Sequence, residues 1–141
     1  MSHHLYSIGI DPGKSTGFAV YHIQEEKLVR LETLSFWSAF GQVIIFDPEE
    51  VSRVVIELPD SKHVWHKNAN GTAAIQRQAV NVGSVLREAE LLAEGIRNAG
   101  YNVQTTNPRG KVDAKRFKMI TGWSGKSNQH ERDAGLLCYG R

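Results

Sequence analysis

An apolar run, Ser7-Ile8-Gly9-Ile10, ends in a carboxylate at Asp11, turns through Pro12-Gly13-Lys14-Ser15-Thr16-Gly17 and resumes as Phe18-Ala19-Val20-Tyr21. Two short β-rich runs around a tight turn predict a hairpin. Gly13 and Gly17 are expected to supply positive backbone angles, and Pro12 pre-sets one φ. Asp11 breaks the pattern. Aspartate is depleted in strands, and a carboxylate at the end of a buried strand needs a partner or a metal unless it simply opens an Asx-turn.

The 141 residues are the usual size of one domain, so a single domain over residues 1–141 is expected. With 40% apolar and 23% charged residues the composition is that of a globular chain. No run approaches the ~20 apolar residues of a membrane span, and because Met1-Ser2-His3-His4 lacks a basic region followed by an apolar segment, no secretory leader is expected. One cysteine, Cys138, excludes an internal disulfide and a cysteine-based zinc site, which fits a reducing, cytoplasmic setting. Net charge is only +2, but Arg109, Lys111, Lys115, Arg116, Lys118 and Lys126 are concentrated against one acid, Asp113. Such a run is either a solvated helix face or a surface for nucleic acid.

Residues 5–11, 18–23 and 28–36 read as three strands of an antiparallel meander. Residues 37–46 fit a short helix better than a strand. Residues 51–58 form a strand whose Val54-Val55-Ile56 core is apolar on both faces, and this strand too ends in an acid, Glu57. The polar stretch 60–72 carries Trp65, which is either a base-stacking wedge or a loop anchor. Residues 73–98 form the longest helix, with Ala79, Val82, Leu86, Ala89, Ala93 and Ile96 at helical spacing. Gly83 within it costs about 1 kcal/mol relative to alanine, which close packing or an approaching ligand backbone would justify. Residues 101–106 are a fifth strand, parallel to the strand of Glu57 because a helix connects them. A short basic helix over 111–120 and a last helix over 127–139, N-capped by Ser127 or Asn128, complete the chain. On the last helix His130 and Asp133 are three residues apart and therefore neighbours. The expected class is α/β: a mixed five-stranded sheet, three antiparallel strands then two parallel, flanked by helices.

Asp11, Glu57, His130 and Asp133 have one common explanation. Clustered carboxylates repel, and a divalent cation offsets that repulsion. A carboxylate-rich site without cysteine suits Mg²⁺ or Mn²⁺ rather than zinc. Two such ions about 4 Å apart would clamp a phosphodiester, one activating water and one stabilising the leaving oxygen. The basic stretch would hold a negative backbone nearby.

The sequence Ile-Gly-Ile-Asp-Pro-Gly-x-Ser-Thr-Gly, followed by Val-Ile-Glu and then His-x-x-Asp-Ala, resembles the RuvC-type Holliday-junction resolvases of the RNase H-like (retroviral integrase) superfamily, in compact length and ending more like phage or archaeal-style variants than the common bacterial enzyme. The resemblance covers nearly the whole chain. It implies an RNase H-like fold and a homodimeric, Mg²⁺-dependent endonuclease, with two ions per site and Mn²⁺ as a substitute. Such an enzyme resolves four-way DNA junctions by paired symmetric nicks, in DNA recombination and repair, without a membrane or a nucleotide cofactor. Asp11 matches the first-strand aspartate that bridges both metals, Glu57 the glutamate of the fourth strand and Asp133 the aspartate of the closing helix. His130 falls where the family has Asp or His as a metal ligand or water-activating group. Lys111 looks like the lysine beside the scissile phosphate, with Lys115 as the second candidate. Asn81-Val82-Gly83 matches the part of the long helix that approaches DNA. Trp65 falls in the loop where the family carries a junction-probing aromatic. Lys14, Arg109 and Lys118 complete the expected DNA-contacting set.

Three other readings share features of the chain. The glycine-rich turn resembles the phosphate loop of actin-like ATPases, but 141 residues supply about one of the two lobes that enclose a nucleotide. A ribonuclease H or a general branched-DNA nuclease would carry the same acidic cluster. A non-catalytic DNA-binding module would not need all four candidate ligands.

Overall fold

The computed structural model describes residues 3–59 and 72–141, with side chains from residue 83 onward in the second stretch. Trp65 and the side chain of Asn81 lie outside the described residues. β1 (Tyr6–Asp11), β2 (Thr16–His22) and β3 (Lys27–Leu34) form the expected antiparallel meander. β4 (Val51–Glu57) pairs parallel with β1, and β5 (Val103–Thr106) pairs parallel with β4. The sheet order is β3-β2-β1-β4-β5. The described helices are α1 (Phe36–Ile44), α2 (Thr72–Asn98), α3 (Ala114–Thr121) and α4 (Gln129–Cys138). None of them is long and apolar enough to cross a membrane.

Residues 36–44 are helical because Ser35 caps them, its side chain accepting from the Ser38 N–H, and because Ala39 and Val43 share one buried face. Asp47 and Pro48 then force a single 3₁₀ turn that leads into β4. Side chains alternate across each strand. Ile8, Ile10, Phe18, Val20, Val54 and Ile56 therefore pack on one side against Ala39 and Val43 of α1 and Ala89, Leu92, Ala93 and Ile96 of α2. Ala19 and Tyr21 point the other way, to Phe117 of α3 and Ala134 and Cys138 of α4. Each large apolar side chain contributes about 1.5–3 kcal/mol on burial, so the α1/α2 layer carries most of the hydrophobic stabilisation. The α3/α4 layer is thinner, and the polar groups that matter most lie there.

The opening motif differs from its expected geometry in one respect. Neither Gly13 nor Gly17 has positive φ; among the described residues the glycines that do are Gly100, Gly122 and Gly140. Gly17 belongs to β2, and its job is clearance. A Cβ there would lie 2.0 Å from the His130 carbonyl oxygen, and one at Gly9 would lie 2.1 Å from the Ala134 carbonyl oxygen. The two glycines let α4 lie flush on the β1–β2 hairpin. Gly83 has no such role among the described residues: it is exposed, and nothing approaches within 4 Å of where its Cβ would be. The basic helix also starts later than expected. Asp113 is its N-cap, accepting from the Arg116 N–H, so α3 begins at Ala114 and Lys111 stands in the preceding loop.

Candidate active site

β1 and β4 are adjacent and parallel, with Ile10 opposite Ile56 in the register. Asp11 and Glu57 follow those residues, so they take matching places at the carboxyl ends of neighbouring strands. Alternation puts both on the face that α4 covers. The third acid comes from α4, whose first turn is fixed by a reciprocal cap. Asn128 accepts from the Glu131 N–H at 2.9 Å, and the Glu131 carboxylate accepts from the Asn128 N–H at 3.0 Å. Thr33 of β3 anchors that cap to the sheet, receiving a hydrogen bond from Asn128 Nδ2 at 2.7 Å and donating to Glu131 Oε2 at 2.8 Å. With α4 pinned there and lying close across Gly9 and Gly17, Asp133 comes down over the two strand ends.

Asp11, Glu57 and Asp133 are each 7% exposed. One carboxylate oxygen from each lies within 4.8 Å of the other two. Two basic groups border the cluster. His130 Nδ1 lies 3.0 Å from Asp11 Oδ2, and Lys111 Nζ donates to Asp133 Oδ2 at 2.5 Å. Asp133 Oδ1 accepts from Gln129 Nε2 at 2.8 Å.

The electrostatics follow from burial and crowding. Burial pushes the Glu57 carboxyl up to about 7, and the charges of Asp11 and Asp133 push the same way against Lys111 and Arg109. Asp11 is raised as well, by burial first and by the Asp133 charge, with the His130 hydrogen bond opposing. Burial alone would lower Lys111; its hydrogen bond to Asp133 and the surrounding carboxylates outweigh that and raise it. Three buried acids facing two basic groups leave a net demand for positive charge. Hard divalent cations such as Mg²⁺ or Mn²⁺ meet that demand through oxygen ligands, so the donor set fits them.

The structure brings together Asp11, Glu57, Asp133, His130 and Lys111, and it is Lys111 rather than Lys115 that contacts the carboxylates. Arg109, Lys115, Arg116, Lys118 and Lys126 are exposed, as the sequence suggested for the basic stretch. Lys14 is exposed on the β1–β2 turn and, with Ser84, Val85 and Glu88 of α2, lines a cavity of about 500 Å³. Cys138 is buried, and burial pushes its thiol up to about 12, so it is an apolar packing group.

Sequence reasoning missed Gln129 and Arg132. The Arg132 guanidinium donates to the carbonyls of Val112 (2.8 Å) and Ser127 (2.7 Å), to Ser127 Oγ (3.2 Å) and to Gln129 Oε1 (3.3 Å). The available signal was the spacing of Gln129 and Asp133, four apart at the start of a capped helix.

Compared with protein-family models and with curated proteins, the chain gives no match in either case.

Proposed function

We propose that the chain is a divalent-metal-dependent endonuclease with an RNase H-like fold, which acts as a homodimer to resolve four-way DNA junctions by paired symmetric nicks. The observation that carries this reading is the cluster of three buried carboxylates, from β1, β4 and α4, bordered by Lys111 and His130. The choice of a four-way junction as substrate rests on the order of the elements and on the resemblance of the motifs to RuvC-type resolvases. A two-fold protein also suits a substrate with two symmetric strands to cut.

Asp11, Glu57 and Asp133 would hold Mg²⁺, which when bound activates water and stabilises the leaving oxygen of the phosphodiester. The protein's own groups do the remainder. Asp11 Oδ2 engages His130 Nδ1 and so holds the imidazole with Nε2 free to take a proton from an attacking water. The Lys111 side chain is 59% exposed, so its ammonium can contact both Asp133 and a non-bridging phosphate oxygen. Arg109, Lys115, Lys118 and Lys126 would bind the flanking backbone, which fixes position rather than sequence.

The test is cleavage of a synthetic four-way DNA junction beside linear duplex and an RNA–DNA hybrid, each with Mg²⁺, Mn²⁺ or chelator, with Asp11→Asn as control. Symmetric, metal-dependent nicks on the junction alone are expected. Cutting of the hybrid would move the protein to the ribonuclease H class, and binding without cutting would leave a DNA-binding module.

A further inference from the structure

We infer that Arg132 is a positioning residue for this site, holding both of the groups that fix the Asp133 carboxylate; the inference rests on the metal-dependent reading of the site. Asp133 is approached from two sides. Gln129 Nε2 donates to Oδ1 and Lys111 Nζ donates to Oδ2. The two donors come from different segments, one from the first turn of α4 and the other from the loop before α3. Arg132 is bonded to both segments. Its Nη2 donates to Gln129 Oε1, and its Nε donates to the carbonyl of Val112, the residue after Lys111. Its Nη1 donates to the Ser127 carbonyl and hydroxyl, just before the α4 cap.

The chemistry of each link sets its direction. Gln129 can accept from Arg132 only through Oε1 and can donate to a carboxylate only through Nε2. The Arg132 bond therefore selects the amide orientation that presents Nε2 to Asp133. Among the described residues Arg132 has no carboxylate partner; all of its acceptors are neutral carbonyl, amide and hydroxyl oxygens. Its function is thus geometric. The planar guanidinium carries its donors in a fixed fork and reaches both segments at once, which a lysine ammonium on a flexible stem does not reproduce. Groups that orient a metal-binding carboxylate in this way are typically worth 10–100-fold in metal affinity or activity.

The experiment uses Arg132→Lys and Gln129→Leu in the full chain. Mn²⁺ affinity is measured by titration without DNA, and single-turnover junction cleavage and junction binding are measured separately. Each variant is expected to bind Mn²⁺ about tenfold more weakly and to cut at least tenfold more slowly, with junction affinity within twofold of the starting protein. The double variant is expected to lose no more than the worse single one, because Arg132 acts in part through Gln129. Unchanged Mn²⁺ affinity and rate in Arg132→Lys, or fully additive losses, would overturn the inference. Gln129→Leu, which leaves the Arg132 ties to Val112 and Ser127 in place, decides the matter if Arg132→Lys does not fold: full Mn²⁺ affinity there overturns it. A starting protein that binds no Mn²⁺ and cuts nothing removes the metal-site reading itself, and this inference with it.

Discussion

His130 Nδ1 lies 3.0 Å from Asp11 Oδ2, across 119 residues of sequence. An aspartate on one imidazole nitrogen fixes which nitrogen faces outward, where it can take a proton from water. His130→Gln is expected to slow single-turnover junction cleavage about 100-fold or more while leaving Mn²⁺ affinity within a few-fold. An equal fall in Mn²⁺ affinity would show instead that His130 acts as a metal ligand.

Lys111 meets Asp133 with its side chain 59% exposed, so this ion pair adds at most about 1 kcal/mol to stability. Lys111→Ala is expected to leave the melting temperature within a few degrees, to slow cleavage, and to lower the salt slope of junction binding by about 1. Salt titrations and single-turnover rates check both effects. An unchanged rate would remove Lys111 from the chemistry.

Glu57 makes the metal-free protein sensitive to alkali. Its carboxyl stands at about 7 when folded against an ordinary 4.5, so the folded state holds this proton more tightly than the unfolded chain does. That stabilisation is complete below about pH 4.5 and is lost as pH rises through about 7. At 1.36 kcal/mol per pH unit the loss is at most about 3 kcal/mol. Asp11, also raised, adds a change of the same sign. Chelator-treated protein is expected to melt at a higher temperature at pH 5 than at pH 8. Glu57→Gln should flatten the dependence, and Mg²⁺ should restore stability at pH 8 but not at pH 4.5. Parallel melting curves for the two proteins across that range would refute this assignment.

Gly17→Ala is expected to destabilise the fold by about 3 kcal/mol, the upper end of overpacking costs, because the new methyl meets the backbone of α4 rather than a yielding side chain. Urea denaturation measures this. Gly83→Ala is the comparison: Gly83 is mid-helix and open, so alanine there should stabilise by up to about 1 kcal/mol.

The acids of this site were legible because they violate a local rule. Asp11 and Glu57 each close an apolar run, an ending that one Asx-turn could explain but that its recurrence on two strands does not, and the parallel register sets them side by side. Asp133 was legible from its spacing to His130, although that spacing did not say that one is buried and the other exposed. Gly17 was misread because the glycine of a turn and the glycine of a close approach look identical in sequence. What separates them is the carbonyl of a helix more than a hundred residues away. Gln129 offered only its four-residue spacing to Asp133, and Arg132 offered nothing, because polar residues opening a helix are the commonest kind of solvated turn. The start of the basic helix was hidden for the same reason: in sequence Asp113 is the one acid of a basic run, and in the structure it is the cap that sets the start at Ala114.

The close seat of α4 on the β1–β2 hairpin also sets when the carboxylates can work. A growing chain that has completed β4 already holds Asp11 and Glu57, but it lacks Asp133, His130 and the cap that Thr33 anchors. The large loop between the hairpin and α4 must close before the third acid arrives. The three-acid cluster is therefore assembled only when synthesis and docking of α4 are done, and an incomplete copy of the chain carries two of its carboxylates without the third.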